Sequence, residues 1–124
     1  MVANEYQELA MRTKNENATK ILKEKIETPH TNDIGGILNA ALGLSGEIGE
    51  FNDLLKKWVF HQKEIDLEHA KKELGDIMWY VAMMCHSFGW ELDDILEMNI
   101  EKLKLRYPNG FDVNLANHRK EHDI

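Results

Sequence analysis

A chain of 124 residues, 43% apolar and 30% charged, is long enough for a core of its own and too apolar for a disordered chain. Its net charge of −7 excludes a general grip on nucleic acid, which needs a basic surface. The lone cysteine, Cys85, excludes an internal disulfide; with no run approaching the ~20 apolar residues of a spanning helix and no signal-peptide pattern, a cytoplasmic protein off the membrane is expected.

The first expected helix spans roughly Glu5 to Lys25, ending before Thr28-Pro29, because the residue ahead of a proline disfavours helix. The second begins near Asn32 or Gly36 and runs to Phe60, with Thr31, Asn32 or Asp33 as candidate caps. Asp66 is a good cap for the third, which continues through Phe88 and stops at Gly89. The fourth covers Leu92 to Arg106 and is closed by Pro108-Asn109-Gly110. No strand pattern competes, so an all-α four-helix bundle is expected over residues 1–111, followed by a polar tail over 112–124. Met78, Trp79, Met83, Met84 and Trp90 wrap more widely around the third helix and its end than one buried face needs, which predicts a homo-oligomer.

Two short phrases stand out, Glu47-Ile-Gly-Glu50 and, after 22 intervening residues, Glu73-Leu-Gly-Asp76. Each sets two carboxylates three residues apart on one helix face, where like charges repel. On the second helix Ala41, Leu44, Ile48, Leu55 and Val59 form an apolar arc, with Glu47 at its edge and Glu50 beyond. On the third, Leu74, Ile77, Val81, Cys85 and Phe88 form the arc, with Glu73 at its edge and Asp76 beyond. Two helices with acids at the same rim can aim all four into one crevice. Four oxygen ligands without a neighbouring cysteine suit a hard divalent ion such as Mg²⁺ or Mn²⁺.

The competing reading makes these acids solvated surface, paired with Lys57 or Lys72. Gly49 and Gly75 inside the motifs each cost roughly 1 kcal/mol relative to Ala, which a close helix contact or a crowded site would explain. Asp53 is turned about 60° or more off the Glu47/Glu50 face and reads as a salt-bridge partner. On the fourth helix Asn99, Lys102 and Arg106 share a face, and a metal with Lys and Arg beside it suits a polyphosphate. Trp58 and Tyr80 lie on the acid-bearing sides of their helices, where stacking on a base competes with core packing, the commoner role for an aromatic ring. For His61 and His69, contact with phosphate or metal competes with the commoner role of a free surface histidine, which is preferred since hard cations favour oxygen.

The run Ala41-Leu42-Gly43-Leu44-Ser45-Gly46-Glu47-Ile48-Gly49-Glu50 with Lys56-Lys57, the run Glu73-Leu74-Gly75-Asp76-Ile77-Met78-Trp79-Tyr80, and Asn99-Ile100-Glu101-Lys102-Leu103 with Arg106-Tyr107-Pro108 and Gly110-Phe111 together resemble the MazG-type nucleoside triphosphate pyrophosphohydrolases. The resemblance covers about residues 38 to 111. It implies an all-α, Mg²⁺-dependent enzyme that cleaves a (deoxy)nucleoside triphosphate to monophosphate and pyrophosphate, in a nucleotide house-cleaning role. Carried over, Glu47, Glu50, Glu73 and Asp76 are the implied metal ligands; Asn99 and Lys102, with Arg106 and Lys57 behind them, are the implied substrate contacts. Homodimers or homotetramers are the implied assembly. Glu50 is the expected general base. A di-iron bundle would need Glu-x-x-His on two helices, and here Glu50 and Asp76 stand where His is required. The alternative from another class is a non-enzymatic metal- or nucleotide-binding helical module.

Overall fold

The structure, a computed structural model, describes residues 2–28 and 32–118. Six helices form among them and no strand: α1 (Ala3–Met11), α2 (Ala18–Glu27), α3 (Ile34–Phe60), α4 (Leu67–Phe88), α5 (Leu92–Arg106) and α6 (Val113–Asn117). The chain is all-α, as expected, and the last three long helices match their expected spans.

Two elements differ from expectation. The single N-terminal helix is broken between Met11 and Ala18, where Thr13-Lys14-Asn15-Glu16-Asn17 offers the backbone local partners. Thr13 Oγ1 donates to the Ala10 carbonyl at 3.0 Å, and the Asn17 N–H donates to Asn15 Oδ1 at 3.0 Å. Such short polar side chains compete with the helical ladder. In the expected tail, Asp112 Oδ1 accepts from the N–H groups of Asn114 and Leu115 and so starts α6. Thr31 and the remainder of the tail lie outside the described residues.

α3 and α4 carry most of the tertiary packing, with α2 resting more lightly on α3. They run antiparallel. Asp33 caps α3 by accepting from the Gly36 N–H at 3.0 Å, and its own N–H donates to the Ser87 carbonyl at 2.9 Å, tying the start of α3 to the end of α4. Farther along, the Tyr80 ring lies where a side chain on Gly43 would sit, so only glycine allows this approach. α4 begins at Asp66, whose Oδ1 accepts from the His69 N–H at 3.1 Å, and ends at Gly89 in the left-handed conformation, φ 75°.

The seam between the two helices is rotated from the expected one. Ala40 and Cys85 are buried, while Leu44, Glu47, Phe51, Leu54 and Leu55 of α3 and Glu73, Ile77, Tyr80, Val81 and Phe88 of α4 are half-buried. Ala41, Ile48 and Val59 from the expected arc of α3, and Leu74 of α4, face solvent instead. An apolar stripe wider than one contact leaves a choice of which part meets the neighbour in the same chain. The rotation carries Glu47 and Glu73 from the rim of the stripe into the seam itself.

Candidate active site

Near the middle of this seam, oxygens of Glu47, Glu73 and Asp76 approach to within 4.8 Å of one another. Glu73 is well enclosed, its side chain only 12% exposed. His69, one turn earlier on α4, meets Glu73 Oε1 through Nε2 at 3.1 Å. The free surface histidine expected at this position is therefore held against the acid cluster.

The arrangement leaves two polar atoms orphaned. Glu47 Oε2 and Glu73 Oε2 are cut off from solvent and meet no hydrogen-bond donor among the described residues. Buried carboxylate oxygens are costly in that state. The crowding of the two acids splits their acidity. Glu47 is pushed up to about 7, first by its hydrogen bond to Glu73, then by partial burial and by repulsion from Glu50, Glu73 and Asp76. Glu73 is held below the usual carboxylate range, first by that hydrogen bond, then by contacts with Glu50 and His69, against the opposing effect of burial. Paired acids pressed together with unpartnered oxygens fit a divalent cation, which would satisfy both.

Glu50 lies outside the close triad and is exposed. It lines an open groove of about 820 Å³ that runs from Gly46 and Glu73 past Glu50, Asp53, Leu54 and His69 to Lys57, Trp58, Lys63 and Ile65. Asp53 is engaged by Lys57 at 2.7 Å and Lys56 at 3.7 Å, the salt-bridge role expected for it, and these ammonium groups hold its carboxyl below the ordinary range. Tyr80 packs at the α3–α4 contact, while Trp58, 49% exposed, is part of the groove wall. Gly49 and Gly75 have open space where a side chain would be, so no contact among the described residues explains them.

Not every expected contact residue is brought to this groove. Asn99 and Lys102 line a separate shallow depression on α5 with Ile95, Met98, Glu101 and Leu105. Arg106, at the end of α5, is half-buried beside the Tyr107 ring, 6.0 Å from its centroid, and lines neither groove. Sequence reasoning missed Lys63 and Ile65. They belong to the connection after α3, where Gln62 takes a left-handed backbone, φ 54°, and the Lys63 N–H donates to the Lys57 carbonyl at 3.1 Å. Nothing in the linear pattern around Gln62 signals that fold-back, since neither Gly nor Asn marks the position.

The model for the MazG nucleotide pyrophosphohydrolase domain matches residues 37–111, a stretch that contains the triad, Glu50 and the whole groove. The Gene 37 protein of Mycobacterium phage L5 is 31% identical over 81 residues, covering 62% of this chain and 71% of that protein. No solved structure matches the chain. The matched stretch spans more than half of the sequence, and on that ground the chain belongs to the family of MazG nucleotide pyrophosphohydrolase domains.

Proposed function

We propose that this protein is a Mg²⁺-dependent pyrophosphohydrolase that converts a nucleoside or deoxynucleoside triphosphate to its monophosphate and pyrophosphate. The observation that carries the reading is the pair of buried, unpartnered oxygens on Glu47 and Glu73, with Asp76 in reach. An all-oxygen cluster of this kind suits Mg²⁺, with Mn²⁺ as a substitute. Glu47, Glu73 and Asp76 would hold the ion, with Glu50 joining from the groove side. Bound there, it would neutralise charge on the polyphosphate and polarise its phosphoryl oxygens.

In the proposed reaction water adds to the α-phosphorus, the bond from that phosphorus to the α–β bridging oxygen breaks, and pyrophosphate departs. The water's proton passes to Glu50 in this reading, which is supported by its exposure in the groove, one helical turn from Glu47, and by the lack of an ion pair to it among the described residues. Lys57 lines the same groove and is a candidate contact for the substrate's negative charge.

Asn99, Lys102 and Arg106 enter the site through assembly. Large apolar side chains at Leu42, Phe60 and Trp79 stay open to solvent in the single chain, which supports a homodimer or homotetramer. A second copy would then bring its α5 to the groove. A cytoplasmic nucleotide house-cleaning role is the biological setting we propose; among the described residues no helix is long and apolar enough to cross a membrane.

The test is a panel of ribo- and deoxyribonucleoside triphosphates with Mg²⁺, reading pyrophosphate and orthophosphate separately. Pyrophosphate release that stops with EDTA is the expected result. No product from any nucleotide would leave the metal-ready cluster to a binding role and overturn the enzymatic reading.

A further inference from the structure

The groove is mostly acidic. Glu50, Asp53, Glu64, Asp66 and Glu73 line it, against two lysines, Lys57 and Lys63. A polyphosphate entering such a groove needs cations whose charge is not already engaged. Lys57 is engaged: its ammonium lies 2.7 Å from Asp53 Oδ2, one turn back on the same helix. Lys63 makes no ion pair among the described residues.

Lys63 is also held in place by backbone rather than by chance of sequence. The left-handed turn at Gln62 folds the chain back over the end of α3, and the Lys63 N–H donates to the carbonyl of Lys57. A non-glycine residue in that conformation is strained. Without the fold-back the chain would continue away from α3, and Lys63 would leave the groove it lines.

The fold-back sets the Lys63 backbone beside the Lys57 carbonyl, about two turns of α3 beyond Glu50. With a metal held at the triad, the phosphate charge farther along the groove would need a donor that is only a donor, which an ammonium is.

We propose that Lys63, rather than Lys57, supplies the groove cation that holds the pyrophosphate half of the substrate. This inference rests on the pyrophosphohydrolase reading for its substrate, but its test does not depend on turnover.

The experiment is a calorimetric titration of the full chain with inorganic pyrophosphate in Mg²⁺, repeated with the nucleoside monophosphate as the other product. Lys63→Ala weakens pyrophosphate binding about tenfold or more, Lys63→Arg restores most of it, and monophosphate binding is unchanged. Lys57→Ala changes pyrophosphate binding less than Lys63→Ala does. In turnover, Lys63→Ala raises KM more than it lowers kcat. Pyrophosphate binding equal to wild type in Lys63→Ala overturns the assignment. So does a loss confined to the monophosphate, which would put Lys63 at the nucleoside half, and so does a wild-type protein that binds no pyrophosphate. If no nucleotide is hydrolysed yet pyrophosphate binding depends on Lys63, the enzymatic reading fails and the Lys63 assignment stands.

Discussion

Glu47 and Glu73 face each other across the α3–α4 seam, each with one oxygen buried and unpartnered, and the contact pushes Glu47 to about 7 while holding Glu73 low. The stability of the metal-free protein follows from this. Glu47 binds its proton more tightly folded than unfolded, so between its ordinary 4.5 and about 7 the folded state carries the extra proton. Stability is therefore lost as the pH rises through about 7. Glu73 acts oppositely and lower down, its contribution lost as the pH falls below 4.5. Thermal melts in EDTA should show Tm falling from pH 5 to pH 8, and Glu47→Gln should flatten that slope. A wild-type Tm that rises across the same interval would contradict the upward shift of Glu47.

Mg²⁺ should reverse the loss. An ion that binds only the folded state stabilises by about 2.7 kcal/mol at 100 times its dissociation constant, or roughly 10 °C in Tm for a domain of this size. The shift should be larger at pH 8 than at pH 6, because at the lower pH the ion must displace the proton on Glu47. Glu73→Gln and Asp76→Asn should each remove most of it. A Tm indifferent to Mg²⁺ at both values would count against the cluster as a metal site.

Helix boundaries were largely legible because their signals are local. Asp66 and Gly89 bracket α4 as a cap and a left-handed stop, and the cap of α3 was one of three neighbouring polar residues. The break before Ala18 was not legible, because Thr13, Asn15 and Asn17 are tolerable inside a helix and become breakers only when their side chains turn to the backbone. The acid pairs were visible from spacing, yet their depth was not. A wheel placed Glu47 and Glu73 at the rim, and the choice of seam, decided by the close approach of Gly43 to Tyr80, put them inside. The contribution of Lys63 was out of reach for the same kind of reason, since it depends on one backbone angle at Gln62.

That helix approach gives a paired stability test. Gly43→Ala gains helix propensity of up to about 1 kcal/mol, but its methyl group meets ring atoms of Tyr80, and overpacking of this kind costs about 1–3 kcal/mol. The expected net is a destabilised protein, recovered in part by Tyr80→Leu. Gly75→Ala meets open space and should stabilise by up to about 1 kcal/mol. Denaturant melts of the variants check both. A destabilised Gly75→Ala would mean that another copy packs against that face, which size-exclusion chromatography across concentrations would show.

In the proposed mechanism Glu50 is the residue at which proton transfer and metal binding can be told apart. It is the one acid of the two motifs outside the close triad, exposed in the groove while Glu47 and Glu73 sit in the seam. Replacing it with Gln keeps the shape and removes the proposed base, so Glu50→Gln should lower kcat by about a hundred- to ten-thousand-fold. The Mg²⁺-induced rise in Tm should survive in large part, because Glu47, Glu73 and Asp76 remain. Glu73→Gln provides the contrast, since it should lose the Tm response and the activity together. Activity retained in Glu50→Gln would remove it from the proton-accepting role, and the half-exposed His69, bonded to Glu73 at 3.1 Å, would be the next residue to test.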